Sequence, residues 1–306
     1  MKDEKNNREL LSVIGLILAA LFWGISYPLT KFVEDVPTFY IIAVRFAFAA
    51  VLLGVCFFRH FRNFNLDTLK FSFILSLIVT AMYVFNIVGV KYTTSVRASF
   101  FTTLSFLVCP VINLIVYKVR IPKFIGISAL ICLAGTCMLC YTPDIGGLRI
   151  NSGDILCALA SVAGAINIIY IEKMSHRSNI DNTMFTICLM AFISIWGIVI
   201  ALLRGEFAYH PLVTSQQMTA IIIMGLFSSA GAFILQIHCE KRVPSNRVGI
   251  IFSLEPASGC ILSVLLIHET LTLIGWMGAL VIMISILYME WANNRQNTKL
   301  NTESVE

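Results

Sequence analysis

The sequence has few charged residues for a chain of its length. Only 13% of its 306 residues are Asp, Glu, Lys or Arg, whereas 58% are hydrophobic. Soluble domains have about a quarter charged residues and about half apolar ones. A soluble protein of this size needs a polar surface that this composition does not supply, whereas a surface that faces lipid has no such need. The composition therefore predicts an integral membrane protein.

The sequence also lacks the residues that several function classes need. Its five histidines are scattered over loops and helix ends, and it has no nucleotide-binding motif of the G-x-x-x-x-G-K-[ST] type. The formal net charge of +5 is too small to indicate nucleic-acid binding. Most of the nine cysteines fall in apolar runs, where cysteine behaves as a small hydrophobic residue. We therefore predict no cofactor, no metal site and no nucleic-acid partner.

The sequence does contain a series of long apolar segments. A helix that crosses a bilayer needs about 20 mainly apolar residues. Ten such spans are predicted, and the short connectors between them leave no room for a soluble domain. The predicted spans are 12–33, 38–58, 70–90, 96–117, 121–141, 153–174, 183–204, 216–238, 245–267 and 271–291.

The distribution of Lys and Arg predicts the orientation of these spans. Cytoplasmic loops of membrane proteins carry an excess of both residues. With ten crossings and a cytoplasmic N-terminus, 16 of the 22 Lys and Arg residues fall on the cytoplasmic side and five on the other, while Arg45 lies within a span. We therefore expect a multi-pass protein of the cell membrane (plasma or inner), with both termini in the cytoplasm.

The chain contains two similar halves of five spans each. Residues 95–104 in the first half are similar to residues 245–254 in the second, at an offset of 150 positions. Because five is odd, the second half enters the membrane from the opposite side, as in many secondary transporters. The predicted fold is an all-α integral membrane protein with ten transmembrane helices in two inverted five-helix repeats. The predicted units are the repeats 1–146 and 147–292 and a disordered cytoplasmic tail at 293–306.

Glu255 is the first candidate for a transport site. It lies about ten residues into the ninth span, and at about 1.5 Å per residue this places it near the bilayer centre. A charge at that depth costs roughly 2.5–3.5 kcal/mol and usually faces a cavity or a partner. We predict that Glu255 binds substrate and couples transport to protons. The alternative is a carboxylate that only holds two helices together.

Arg45 is the other charged residue that lies deep within a predicted span, away from its ends. It is expected to pair with Glu255, to hold an anionic group of the substrate, or to extend outward to the membrane surface. Polar and aromatic side chains within spans either line a cavity or join helices. Those predicted to contact the substrate are Trp23, Tyr83, Asn86, Asn167 and Gln236.

Pro28, Pro110 and Pro256 lie within the predicted first, fourth and ninth spans. Proline removes a backbone hydrogen-bond donor and bends or breaks a helix. We predict that all three act as hinges, and a fixed kink is the alternative at each. At Pro256 the carbonyl left without a partner would lie next to Glu255, which suits a solute or proton site.

Several short motifs follow one another in a characteristic order. They are Ala20-Leu-Phe-Trp-Gly-Ile-Ser-Tyr-Pro28 with Lys31, Arg45-Phe46, Tyr92-Thr-Thr94, Leu254-Glu255-Pro256 with Glu269, and Gly275-Trp-Met-Gly-Ala279. In this order the chain resembles EamA-type transporters of the drug/metabolite transporter (DMT) superfamily over nearly its whole length. The resemblance implies ten helices in two inverted halves. It implies neither a substrate nor a direction of transport.

The predicted function is a secondary transporter that moves a small metabolite, such as an amino acid or a drug-like amphipath, by alternating access. Its partners are the solute and the lipid bilayer, and its unit is a monomer or a homodimer. We predict that it is not an enzyme. Two other functions stay open from the sequence: a membrane-embedded enzyme acting on lipid-like substrates, and a membrane sensor that transports nothing.

Overall fold

The structure is a computed structural model that describes residues 2–33, 35–90, 92, 101, 104–118, 120–139, 151–177, 179–208, 213–267 and 272–303. The regular secondary structure of these ranges is helical. A 3-10 helix, Phe58–Asn63, follows α3, and a π-helical turn, Gly225–Gly231, joins α9 to α10. The α-helices are α1 (Lys2–Gly24), α2 (Ser26–Phe32), α3 (Thr38–Cys56), α4 (Leu66–Val90), α5 (Ser105–Tyr117), α6 (Lys123–Leu139), α7 (Ser152–Ser175), α8 (Asn182–Leu203), α9 (Ser215–Met224), α10 (Ala232–Cys239), α11 (Ser245–Phe252), α12 (Leu254–Ile267) and α13 (Leu273–Glu303).

Eight helical segments of the described chain are long and apolar enough to cross a membrane. Helices α5 and α6 are apolar too, but they have only 13 and 17 residues in the described ranges. The all-α membrane class is therefore confirmed, whereas the ten crossings and the inverted repeat stay predictions. Helix α13 continues to Glu303, through most of the segment predicted as a disordered tail. A packed helix extends easily into polar sequence because propagation is far less costly than nucleation.

The predicted first and ninth spans are each broken into two helices at a single residue. The first span is interrupted at Ile25 and the ninth at Ser253. Each interruption lies three residues before a proline, so that Pro28 and Pro256 occupy the third position of the helix that follows. Proline is tolerated in a first turn because the backbone N–H groups there have no partner inside the helix. Pro110, in contrast, lies inside α5.

Helices α6 and α13 approach each other closely at two glycines, Gly135 and Gly278. A Cβ atom added at Gly135 would lie 2.9 Å from the carbonyl oxygen of Gly278 and 2.9 Å from the amide nitrogen of Ile282. A Cβ atom at Gly278 would meet the backbone of α6 in turn. Small residues allow helices in membranes to approach this closely. Gly278 belongs to the motif of the tenth span, and the contact gives its small size a structural reason.

The two ends of the bundle are distinguished by their polar contacts. At one end, Arg247 of α11 pairs with Glu9 of α1 and Glu290 of α13, each at 2.5 Å. We call this the Arg247 end. At the other end, which we call the Glu206 end, the Glu206 carboxylate accepts hydrogen bonds from the backbone N–H groups at the start of α3, at 2.9 and 3.1 Å. The first helix and the last helix therefore share the Arg247 end.

Candidate functional site

Arg45 lies in the middle of α3 and is buried, with 8% of its surface exposed. Its Nε donates a hydrogen bond to the Oγ of Ser229 at 2.6 Å. Its guanidinium carbon also lies 5.5 Å from the centre of the Phe46 ring, within cation–π range. Ser229 belongs to the π-helical turn, and such turns are frequent at functional sites. The turn places a hydroxyl where the buried cation needs an acceptor.

Tyr83 of α4 lies near both of the charged residues that were predicted to lie deep within the spans. Both Arg45 and Glu255 lie close enough to the Tyr83 hydroxyl to act on it electrostatically. The Tyr83 ring also packs edge-on against Phe46, with the ring centres 5.6 Å apart. Three residues from α3, α4 and α12 that the sequence marked as substrate contacts are thus brought to one region of the bundle.

A row of aromatic rings extends from this region towards α1. The Phe233 ring of α10 lies 6.3 Å from the Phe46 ring and 5.6 Å from the Trp23 ring, edge-on in both cases. Trp23 in turn packs on Phe252 at 4.8 Å. Phe252 is the last residue of α11, directly before the interruption that precedes Glu255. The row therefore places Trp23 near the start of the helix that carries the carboxylate.

Glu255 is partly buried in the first turn of α12. Its backbone carbonyl accepts a hydrogen bond from the Ser258 hydroxyl at 2.8 Å. A Cβ atom added at Gly24 of α1 would collide with Ser258 and would lie 3.0 Å from the amide nitrogen of Gly259. The glycine of the first-span motif therefore allows α1 to lie directly against the helix that carries Glu255.

The remaining predicted contact residues lie on α7, α4 and α10. Asn167 of α7 is buried, and its Oδ1 has no hydrogen-bond partner among the described residues. Asn86 is partly buried near the end of α4. Gln236 of α10 is fully buried and points its amide towards Glu240 instead. The prediction that these three bind substrate is left as a prediction.

Sequence reasoning missed Glu240, which directly follows α10. It lies in the predicted connector between the eighth and ninth spans, and its side chain is completely buried. Burial raises the pKa of Glu240 well above its usual range; the hydrogen bond from Gln236 opposes this shift, and the Glu172 carboxyl adds to it. The available signal was a glutamine placed one helical turn before the acid, a spacing at which side chains meet.

The hydrogen bond between Arg45 and Ser229 leads to a stability prediction. Replacing Ser229 by alanine removes the acceptor of a buried cation, and we expect this to cost about 1.5–3 kcal/mol. Replacing the adjacent Ser228, which is also buried and donates to the carbonyl of Phe22, removes a neutral bond and is expected to cost about 1 kcal/mol. Thermal unfolding of both purified variants measures the difference. Equal losses would contradict a charge-assisted bond at Ser229.

The chain matches the sequence profile of the EamA-like transporter family over residues 10–141 and 151–291. It is 28% identical over 288 residues to an uncharacterized transporter of Archaeoglobus fulgidus, an alignment that covers 92% of this chain and 86% of the relative. It is 23% identical over 283 residues to the uncharacterized transporter YetK of Bacillus subtilis, covering 89% and 84% of the two chains.

The fold is also similar to that of a solved crystal structure, with a TM-score of 0.76 and 16% sequence identity, over 93% of this chain and 98% of the other. That likeness concerns the fold alone. The family match spans nearly the whole chain, and the relatives carry the name of transporters rather than of enzymes. The chain therefore belongs to the EamA-like transporter family, as a membrane protein with several apolar helices.

Proposed function

We propose that the protein is a secondary transporter that moves a small amphipathic solute across the cell membrane by alternating access. The observation that carries the proposal is the convergence of Arg45, Tyr83 and Glu255 within helices that are otherwise apolar. Charged residues at such depth are costly and usually serve a site. Ten crossings in two inverted halves, the architecture implied by the resemblance, are part of this proposal.

The charges of the region favour a small zwitterion with an apolar part as substrate, such as an amino acid. A guanidinium binds a carboxylate well, and the Arg45 group is already oriented by Ser229. Glu255, which also acts electrostatically on Tyr83, offers a carboxylate for an ammonium group. The rings of Trp23 and Phe46 supply apolar contact area near these charges.

We propose further that the Arg247 end faces the cytoplasm and is closed in this conformation. Arg247 joins three helices, α1, α11 and α13, through its two carboxylate partners. The 3-10 helix that carries Arg59 and Arg62 lies at the same end, since His60 contacts Asp181 at 2.9 Å and Asn182 next to it donates to the carbonyl of Ile237. An excess of basic residues at one end is typical of the cytoplasmic side.

Flux into proteoliposomes tests the proposal. Labelled amino acids and metabolites are offered with and without an imposed pH gradient, and we expect uptake of at least one zwitterionic solute above that of empty liposomes. If no solute of the panel crosses, in either direction and at either pH, the transporter proposal is wrong.

Replacing Glu255 by glutamine tests the role of the carboxylate. Loss of one charged hydrogen bond of about 1.5–3 kcal/mol corresponds to roughly tenfold to hundredfold weaker binding. We expect the variant to fold, to bind the transported solute weakly and to lose the response of flux to the pH gradient. The control is Asp35→Asn, which changes an exposed carboxylate outside the apolar helices. A variant that keeps both flux and its pH response would exclude coupling through Glu255.

A further inference from the structure

Glu240 is a completely buried carboxyl group at the Arg247 end of the bundle. Its Oε1 accepts a hydrogen bond from the Nε2 of Gln236 at 2.8 Å. Gln236 is also completely buried, one turn earlier in α10. The two side chains therefore form a closed pair that no water reaches in this conformation.

Two oxygens of this pair have no partner. Neither the Oε2 of Glu240 nor the Oε1 of Gln236 has a hydrogen-bond partner among the described residues. No cation among the described residues pairs with the Glu240 carboxyl either. An ionised carboxylate buried in this way is costly, and such groups take up a proton instead. A proton on Glu240 removes the charge.

The described residues around the pair do not supply a neutralising charge. The Glu172 carboxyl of α7 repels the Glu240 carboxyl electrostatically, and both acids interact electrostatically with the Cys109 thiol of α5. Other titratable and charged groups described at this end include Glu9 of α1, Arg59, His60 and Arg62 of the 3-10 helix, Asp181 of α8, Arg247 of α11, Glu290 of α13, and His238, Cys239, Lys241 and Arg242 of the segment itself. Glu9 is occupied by Arg247, and Arg242 is exposed.

Polar contacts connect this pair with the contacts that close the Arg247 end. Cys109, on which Glu240 acts, lies one turn before Asn113 in α5. The Nδ2 of Asn113 donates to the Ser245 hydroxyl at 2.9 Å and to the Asn246 Oδ1 at 2.7 Å. These two residues directly precede Arg247 in α11. A movement of α11 away from α1 and α13 would therefore disturb the packing that buries Glu240.

We propose that Glu240 is a proton-binding site, separate from Glu255, that holds a proton while the Arg247 end is closed and releases it when that end opens to water. The inference rests on the proposed function, since it needs an end that opens. By linkage, a group that binds its proton only in the closed state makes closure depend on pH. Higher pH then favours the open state.

Labelling of Cys109 with N-ethylmaleimide tests this site without any substrate. Cys109 is buried, and a Cβ added at Gly249 of α11 would lie 3.6 Å from its Cβ atom, so we expect the thiol to become accessible when α11 leaves α5. For one released proton the opening equilibrium changes about tenfold per pH unit. We therefore expect the ratio of the labelling rate of the native protein to that of Glu240→Gln, measured at the same pH, to rise with pH. The rise should be up to about tenfold per pH unit, over the range between the pKa of Glu240 in the open state and its pKa in the closed state. Because the thiol reacts in the open state, where Glu240 and Cys109 are both in contact with water, the division removes the pH dependence of an exposed thiol.

Two further variants complete the experiment. Lys241→Gln, at the exposed neighbouring position, should leave the pH profile of the native protein unchanged. Glu172→Gln removes the like charge near Glu240 and should move the pH profile of Cys109 labelling to lower pH. This variant replaces Glu240→Gln as the test if Glu240→Gln does not fold. A ratio that stays constant with pH, or an unchanged profile in Glu172→Gln, would overturn the assignment of Glu240. Absence of flux with a pH-dependent ratio would instead overturn the proposed transport alone.

Discussion

Replacement of Arg247 by alanine is expected to open the Arg247 end of the bundle and to lower the stability of the protein by about 3 kcal/mol. The guanidinium is 5% exposed and joins Glu9 of α1 to Glu290 of α13. Removing one member of a buried ion pair costs about 3–5 kcal/mol because the partners stay behind as uncompensated charges. The carboxylates are 25% and 20% exposed, so solvent screening puts the loss at the low end of this range.

Two measurements check this result. The midpoint of thermal unfolding should fall, and Cys109 should react faster with N-ethylmaleimide. Arg247→Lys keeps the charge but not the two-sided geometry of the guanidinium, so that an intermediate effect is expected. Arg242→Ala, at an exposed position five residues earlier, is the matched control and should change neither quantity. A lower unfolding midpoint without any change in Cys109 reactivity would show that the cluster only stabilises the fold.

Replacement of Gly278 by alanine is expected to separate α6 from α13 and to prevent stable folding. The added Cβ would meet the backbone oxygen of Gly135 at 2.6 Å and the Cα of Leu139 at 2.9 Å. Backbone atoms cannot turn away as a flexible side chain can, so the helices themselves must move. Overpacking typically costs about 1–3 kcal/mol, and occasionally more. We expect the cost in stability at this site to exceed that range. The measurement is size-exclusion chromatography in detergent, in which the variant should give no monodisperse peak.

Gly126→Ala is the matched control for this contact. Gly126 lies in α6 like Gly135, but an added Cβ there would meet nothing within 4 Å. Alanine favours a helix over glycine by about 1 kcal/mol, so the control should be neutral or slightly stabilised. If Gly278→Ala is as stable and monodisperse as Gly126→Ala, α6 and α13 do not approach each other as closely as the structure shows.

Long apolar helices could be located from the sequence because hydrophobicity is a local property. The predicted span 183–204 corresponds to α8, Asn182–Leu203, and the predicted span 153–174 to α7, Ser152–Ser175. The interruptions were less accessible. Pro256 indicated a disturbed helix, but the break lies three residues earlier at Ser253, because proline is accommodated in a first turn and the chain breaks before it.

The central residues could be named from the sequence, but their partners could not. A charge inside an apolar run is conspicuous, and Arg45 and Glu255 are therefore found by inspection. That Arg45 binds Ser229 depends on two positions 184 residues apart, one of them in a π-helical turn. No local pattern encodes such a contact.

The apolar composition and the ordered motifs by themselves determined that this chain is a helical membrane protein of a transporter family, since both properties are read directly from the linear sequence. Only the tertiary structure decided which polar groups are removed from water. It buried Glu240, a residue that looks solvated, and it joined Glu9, Arg247 and Glu290 from three distant helices. Burial and pairing depend on which helix faces meet, and that is settled by the packing of the whole bundle.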